Sequence, residues 1–358
     1  MEANSVNSIK MCNSLMEFGI SVKIHCELVS DSIEMLKSKY GFSNDIKFRN
    51  NKLLPKTSFK ILNFLYRLIS DMILSYKLNK DSSDLIFSRN IFSLLLVNKA
   101  KFAYELHKPP RTLLEKFTFN LICERSNLAK LICISDSLKN IILDKYPDIP
   151  KNSFLVCHDG AEIYQSDCNK PHEGNLRVGY AGSLYKGRGI RIIKFLAESL
   201  PNIDFVIIGG KKNQFSSDCK NILHIPFVPH SKISPLLCQC DILLAPYQQD
   251  LTIRNKENSS SYLWMSPLKI FEYMAIGKPI LCSSFKVLKE VLKDGYNCIL
   301  IDHSDKDKWL KSLKKLIRNE SLMDSLGKNA KKDLEENFTW NNRAERIIKA
   351  CKIGINGK

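Results

Sequence analysis

The chain alternates between short apolar runs and longer stretches in which apolar residues recur at helical spacing. Apolar positions alternate along residues 20–26, and compact apolar runs follow at 85–87, 102–104 and 131–134. Runs of this kind are typical of parallel strands that are buried on both faces. Helical spacing between them, as from Phe59 to Leu78, predicts an α/β fold with right-handed crossovers and open parallel sheets.

Before the first compact run, helices are predicted over about 4–19 and 31–41, and polar residues 41–57 predict irregular structure. A second break, at residues 159–174, contains two glycines and a proline and marks a domain boundary. Beyond it the alternation restarts, and strands are predicted at 177–181, 205–208, 223–225, 242–245, 280–282 and 298–301. The sequence therefore predicts two Rossmann-like doubly wound domains, 1–165 and 173–340, that face a cleft.

Composition limits the partners and the compartment. The 358 residues carry a formal net charge of +17, which favours an anionic partner such as a phosphate-bearing substrate or an anionic membrane surface. No nucleic-acid motif accompanies the lysines, so nucleic acid is disfavoured, and a lysine-rich composition without a special partner stays open. Apolar runs fall short of the roughly 20 residues that cross a bilayer, and we expect a cytoplasmic protein.

The 12 cysteines are scattered and lack the spacing of a zinc site. We expect them to be reduced and mostly buried thiols, and we expect no bound metal or cofactor.

The stretch SPLKIFEYMAIGKPIL carries the strongest candidate chemistry. Ser266 is predicted to cap a helix that begins at Pro267 and ends at Gly277. Unpaired N–H groups at such a helix start attract a diphosphate, and Lys269 adds a positive charge. Glu272, one turn further on, can accept hydrogen bonds from a ribose. The alternative is an ordinary amphipathic helix whose Lys269 and Glu272 are solvated.

A glycine-rich loop follows the strand predicted at 177–181, where a phosphate loop lies in such folds. Gly182 and Ser183 allow the backbone to approach an anion, and Lys186 and Arg188 can neutralise a diphosphate leaving group. The loop is neither a GxGxxG fingerprint nor a P-loop. A tight basic surface turn is the alternative.

The first domain offers a candidate histidine at the carboxyl end of a predicted strand. His107 follows the strand at 102–104 and can bond a sugar hydroxyl or move a proton. Satisfying a loop carbonyl is the alternative. Arg89 follows the strand at 85–87 in a similar position, and Ser135 is predicted to be a helix N-cap.

Five segments in the second half carry a family resemblance: GYAGSLYKGRGI, FVIIGG, DILLAPY, SPLKIFEYMAIGKPIL and FTWNNRAERII. Together with DLIFSRN, AYELHKPP and VCHDGAE in the first half, they resemble the retaining GT-B glycosyltransferases called family 4. The resemblance implies a nucleotide-sugar donor held by the second domain and an acceptor held by the first. It also implies retention of anomeric configuration without a metal, and a last helix, 341–358, that crosses back to the N-terminal domain.

The same resemblance implies roles by position. Glu272 matches the glutamate that binds the donor ribose, and Lys186 and Arg188 match the basic residues at the diphosphate. Gly182 and Ser183 match the backbone cradle.

Two further positions bear on the sugar. His107 matches a histidine near the transferred sugar, whereas Trp264 stands where many members have a second glutamate that contacts the donor sugar.

The resemblance thus predicts a retaining glycosyltransferase that moves a sugar from a UDP- or GDP-type donor to a glycan or lipid-linked acceptor in cell-surface polysaccharide biosynthesis. We expect it in the cytoplasm or peripheral on the inner face of the membrane. The rivals are a nucleotide-sugar epimerase and a catalytically silent scaffold. Family members also have an apolar strand and a glycine loop before the helix that here begins near residue 4. We therefore expect that Met1 is not the native start and that on the order of 15 residues precede it.

Overall fold

The structure is a computed structural model that describes residues 3–26, 46–50, 58–164, 168, 174–212, 214–215, 218–251 and 261–354. They form two compact units. The N-terminal unit comprises residues 7–158 and 343–358, and the C-terminal unit comprises residues 1–6 and 159–342. The helix predicted over 31–41 lies outside the described residues.

Most of the N-terminal unit is built from strands that alternate with helices. In chain order the elements are α1 (Ala3–Glu17), β1 (Lys23–Cys26), β2 (Lys47–Asn50), α2 (Lys60–Lys80), β3 (Leu85–Ser88), β4 (Lys101–Leu106), α3 (Leu113–Cys123), β5 (Leu128–Cys133), α4 (Asp136–Lys145) and β6 (Phe154–Val156). All described strand pairs are parallel: β1 pairs with β2, and β3-β4-β5-β6 form a four-stranded sheet.

The apolar runs predicted as strands in this unit are confirmed as β1, β3, β4 and β5. Phe102, Ala103 and Leu106 of β4 are fully buried, as expected of a strand covered on both faces. β2 contradicts the prediction of irregular structure over 41–57. Its sequence, KFRN, lacks an apolar run, and the strand is defined by its parallel pairing with β1, which no local pattern reveals. The short β6 was also not predicted. Ser135 caps α4 as predicted, because its hydroxyl accepts from the Leu138 N–H.

The C-terminal unit is a second α/β unit. Its elements are β7 (Arg177–Ala181), α5 (Ile190–Ser199), β8 (Asp204–Ile208), β9 (Ile222–Ile225), α6 (Ile233–Cys238), β10 (Ile242–Ala245), α7 (Leu268–Ile276), β11 (Ile280–Ser283), β12 (Ile299–Ile301), α8 (Lys306–Ile317), α9 (Glu320–Asn337) and the first residues of α10 (Trp340–Cys351). From Arg343 onward, α10 belongs to the N-terminal unit. All six predicted strands are confirmed.

The strand order in the C-terminal unit is β12-β11-β10-β7-β8-β9, and every pair is parallel. This is the order of a Rossmann sheet, in which the chain reverses its direction of winding between β7 and β10. Ligands of such sheets bind at the carboxyl ends of these two strands. Both faces are covered: Val178 and Phe205 pack into one apolar cluster with Trp309, while Ala181 and Val206 pack into another.

Besides the strand β2, the structure corrects two predictions, on the helix start near Ser266 and on the cysteines. α7 begins at Leu268 with Pro267 as its N-cap, and the Ser266 hydroxyl instead accepts from the Asp159 N–H at 2.9 Å. The end of this helix is as predicted, because Gly277 adopts a left-handed conformation (φ 74°) after Ile276.

The cysteines are the second correction, since Cys168 and Cys238 form a disulfide with their Cα atoms 4.9 Å apart. They are 70 residues apart in sequence, so spacing could not reveal the pair. The other ten are free thiols, of which six are buried: Cys133, Cys157, Cys240, Cys282, Cys298 and Cys351.

Among the described residues, no helix combines the length and the apolar character needed to cross a membrane.

Candidate active site

The glycine-rich loop packs against the end of β10, at the point where the Rossmann sheet changes direction. Gly182 follows β7 and donates its N–H to the Ile208 carbonyl at 2.9 Å, while Gln248 donates to the Gly187 carbonyl at 2.9 Å. Gly189 has a φ of 80°, and a Cβ added there would lie 1.9 Å from the Pro246 carbonyl oxygen. Only glycine allows this approach, so the loop leads into α5 with its backbone against β10.

A basic cluster lies beside this loop, and we define it as Lys269, Arg188, Tyr180 and Tyr247. The Lys269 ammonium is 4.0 Å from the centroid of the Tyr180 ring and 4.9 Å from that of Tyr247. The Arg188 guanidinium is 5.8 Å from the Tyr247 centroid. A Cβ on Gly182 would lie 2.9 Å from the Lys269 nitrogen, so the first turn of α7 reaches the loop.

Within the described ranges, the cations of the basic cluster lack a carboxylate partner. In the described part of the chain, neither Lys269 nor Arg188 forms an ion pair with a carboxylate. Arg188 Nε and the Tyr247 hydroxyl are buried, and neither has a hydrogen-bond partner among the residues that the structure describes. Burial, reinforced by the charge of Arg188, holds the pKa of Lys269 well below its ordinary value. Burial and repulsion from Arg188 make the charged form of Lys269 unfavourable, and a bound anion would offset both effects, so the cluster favours anion binding.

The other predicted residues of this loop are placed differently. Lys186 is exposed, and its ammonium lies 3.7 Å from a carboxylate oxygen of Asp250. The Ser183 carbonyl accepts a hydrogen bond from the Tyr180 hydroxyl at 2.9 Å, which fixes the loop backbone over the cluster. Of the two predicted loop cations, therefore, Arg188 lies in the basic cluster and Lys186 lies outside it.

Glu272 lies on α7, one turn beyond Lys269, and lines a pocket of the C-terminal unit. Its Oε1 is 2.6 Å from His230 Nε2. His230 begins a short 3₁₀ turn between β9 and α6 and lines the same pocket. Trp264, at the position where many members of the resembled family have a second glutamate, is buried. Because Lys269 and Glu272 are three residues apart on α7, the helix places a cation and a carboxylate about one turn from each other.

In the N-terminal unit, His107 follows the last residue of β4 as predicted and belongs to a buried charge network. We define the Glu105 network as Glu105, Arg89, Arg343 and His107. Glu105 is fully buried and its Oε1 lies 2.8 Å from both His107 Nε2 and an Arg343 nitrogen. Arg89 Nε lies 3.1 Å from the other carboxylate oxygen.

Electrostatics explain how a buried carboxylate stays ionised in this network. Burial alone would raise the pKa of Glu105, but Arg89, Arg343 and His107 outweigh it and hold the pKa well below the ordinary value. Arg89 also donates to Ser8 and Asn7, so it links α1 to the network. The predicted alternative for His107, a bond to a loop carbonyl, is replaced by its bond to the Glu105 carboxylate.

Several residues of these sites carried no usable sequence signal. Tyr180 was predicted only as a residue of the strand at 177–181, and Tyr247 lies beyond the strand predicted at 242–245, so neither was singled out for the site. His230 is 42 residues from Glu272, and Arg343 is 238 residues from Glu105, so only the fold brings each pair together.

The structure is similar to that of Anabaena HepE in complex with UDP and glucose, with a TM-score of 0.70 and 14% identity, over 99% of this chain and 96% of that one. The chain therefore has the GT-B fold, consistent with two Rossmann-like units. Residues 169–333 match the family described as glycosyl transferases group 1.

Sequence relatives agree with that match. An uncharacterized glycosyltransferase of Methanocaldococcus jannaschii is 26% identical over 302 residues, which is 77% of this chain and 78% of that protein. The capsular polysaccharide biosynthesis glycosyltransferase CapM of Staphylococcus aureus is 22% identical over 232 residues, 58% of this chain and 57% of that protein. Together these likenesses support a glycosyltransferase of the GT-B fold, and they lend no support to the epimerase or scaffold alternatives.

Proposed function

We propose that the C-terminal unit binds a UDP- or GDP-type sugar donor and that the protein transfers the sugar with retention of anomeric configuration. The observation that carries the proposal is the basic cluster, where two cations meet the glycine-rich loop. Among the described residues, these cations have no acidic partner, and two buried polar atoms beside them have no hydrogen-bond partner. A diphosphate would pair with both cations.

The position of Glu272 supports a nucleoside rather than a simple phosphate as the rest of the ligand. A ribose attached to a diphosphate at Lys269 would reach the carboxylate one turn further along α7, beside an open pocket. HepE, with the same fold, binds UDP and glucose. The glucose bound to HepE favours a hexose-type donor, and the name of CapM favours a role in polysaccharide assembly.

Arg188 and Lys269 would also stabilise the charge that grows on the departing diphosphate, which is the work that a metal does in other transferases. We therefore propose a metal-independent reaction, with His107 as the residue of the N-terminal unit that contacts the transferred sugar. Transfer to a glycan or lipid-linked acceptor should survive EDTA. Loss of transfer in EDTA and recovery in magnesium or manganese would contradict metal independence.

The stereochemical proposal is tested by the product. Incubation with each UDP- and GDP-hexose should release the nucleoside diphosphate, and NMR of the transferred or hydrolysed sugar should show an anomeric proton of the donor's configuration. A product of inverted configuration would overturn the proposal of retention. No turnover with any of these donors would overturn the proposal that the protein is a transferase.

Peripheral attachment to an anionic membrane is part of the same proposal. α2 exposes an apolar stripe of Ile61, Leu65, Ile69, Met72 and Tyr76, and Lys77 and Lys80 follow at its carboxyl end. An apolar stripe with flanking lysines suits the interface of an anionic bilayer. Binding to vesicles that contain phosphatidylglycerol should fall with salt and with Ile69→Glu. The exposed Asp324→Asn variant serves as a control, and equal binding by all three proteins would exclude this attachment.

A further inference from the structure

The Glu272 carboxylate has a protein partner that neither the sequence resemblance nor the comparisons assign. His230 Nε2 lies 2.6 Å from Oε1 of Glu272, and the two side chains are 25% and 17% exposed. The partner comes from a different element, the turn between β9 and α6, so it limits the rotation of the glutamate from outside α7. A carboxylate only accepts, so the proton of this bond is on Nε2 of the imidazole.

The bond uses one of the two carboxylate oxygens. Among the described residues, Oε2 of Glu272 takes part in no hydrogen bond or ion pair, which leaves it for a ligand. The pair borders a pocket whose wall includes Ile163, Leu268 and Ala275. A free glutamate at such a wall would sample several rotamers, and ordering it would cost conformational entropy each time a ligand bound.

We propose that His230 is a positioning residue that holds Glu272 ready to accept hydrogen bonds from the ribose hydroxyls, and that it thereby sets the preference for ribonucleotides over deoxyribonucleotides. This inference rests on the proposed function. His230 contributes pre-organisation, because its bond fixes Oε1 of Glu272 while Oε2 accepts from the 2′- and 3′-hydroxyls of the ribose. His230 itself need not touch the nucleotide.

Other roles for His230 would change nucleotide affinity in a different way. If His230 competed with the ribose for Glu272, removing the imidazole would free the carboxylate and strengthen nucleotide binding. A purely structural role would weaken binding of nucleotides with and without the 2′-hydroxyl by the same factor. Only positioning of the carboxylate predicts a loss that depends on the hydroxyl.

The test measures affinity by calorimetry for UDP, GDP and their 2′-deoxy forms. His230→Phe keeps a ring but removes the donor, whereas His230→Gln keeps a donor. We expect His230→Phe to bind the preferred ribonucleotide about tenfold more weakly, the scale of the rotamer freedom that a fixed glutamate loses. The 2′-deoxy form keeps only the 3′-hydroxyl, so it should lose less affinity than the ribonucleotide does, and His230→Gln should recover most of the loss.

Two controls separate this inference from the proposed function. His303→Ala removes a histidine that pairs with Asp302, at 3.4 Å, and should leave affinity unchanged. Glu272→Ala should lose ribonucleotide affinity whatever the role of His230. If the wild type binds neither UDP nor GDP, the proposed function fails and the inference falls with it. If Glu272→Ala weakens binding but His230→Phe does not, or weakens ribo and deoxy forms equally, only the inference is overturned.

Discussion

Removal of the charge of Glu105 should destabilise the N-terminal unit strongly. Glu105 is fully buried and Arg343 is 2% exposed, with 2.8 Å between the carboxylate and guanidinium atoms. Glu105→Gln keeps the shape of the side chain but leaves two arginines without their anion. Breaking a buried pair from one side costs about 3–5 kcal/mol. For a unit of this size that corresponds to a fall of about 6–20 °C in melting temperature.

The assay is urea unfolding and calorimetry of wild type, Glu105→Gln and Asp324→Asn. Asp324 pairs with Lys328 at 2.5 Å on the surface of α9, so its variant should lose no more than about 0.5 kcal/mol. A loss of less than about 1 kcal/mol in the free energy of unfolding of Glu105→Gln would contradict a stabilising role for this buried pair.

The sign of the pH dependence gives a second readout for the same variant. The pKa of Glu105 is lower in the folded protein than its ordinary value of 4.5, so its stabilisation is fully present above that value. Stability is lost as pH falls toward the lowered pKa. The difference between wild type and Glu105→Gln should therefore shrink on acidification, and a difference that grows instead would contradict the assignment.

Three further predictions concern the proposed donor site. Because burial and Arg188 lower the pKa of Lys269, UDP binding should take up a proton, and UDP affinity should fall by up to about tenfold per pH unit above the lowered pKa. Lys269→Arg should flatten this pH profile of affinity. Identical profiles for the wild type and Lys269→Arg would contradict the role of Lys269. Gly189→Ala should abolish UDP binding or lower the melting temperature through its clash with Pro246, the residue after β10. Gly174→Ala is also at positive φ, but no described atom lies within 4 Å of the added Cβ, so it should cost only about 1–2 kcal/mol of stability; equal effects of the two variants in both assays would contradict the packing argument. Tyr247→Phe removes a buried hydroxyl that has no partner in the described part of the chain, so the stability of the free protein should stay equal or rise while UDP affinity falls. An unchanged affinity would remove Tyr247 from the site.

The sequence predicted what depends on local patterns. Apolar runs located most strands, and Gly277 marked the end of α7. It failed where a distant group decided the outcome. Ser266 has the residue type of an N-cap, but the Asp159 N–H engages its hydroxyl, and Cys168 meets a cysteine 70 residues away. The polar β2 is likewise a strand because of its neighbour.

The candidate site divides in the same way. Motif spacing indicated Lys269, Arg188 and Glu272, because an anion site needs cations near a helix start and a glycine-rich loop. It could not indicate that Lys186 lies outside the basic cluster, or that His230 bonds to Glu272. Those facts depend on which way side chains point after the sheet has formed, and that information is not local.

Titration with UDP-glucose and GDP-mannose is the sharpest test of a nucleotide-sugar site in the C-terminal unit, using the wild type, Lys269→Ala, Glu272→Ala and, as a surface control, Lys328→Ala. We expect one donor to bind the wild type, Glu272→Ala to weaken that binding by about 1.5–3 kcal/mol, and Lys269→Ala to weaken it at least as much. The control should match the wild type. Equal affinity in all four folded proteins, or no binding of either donor by the wild type, would contradict the assignment of this site to a nucleotide sugar.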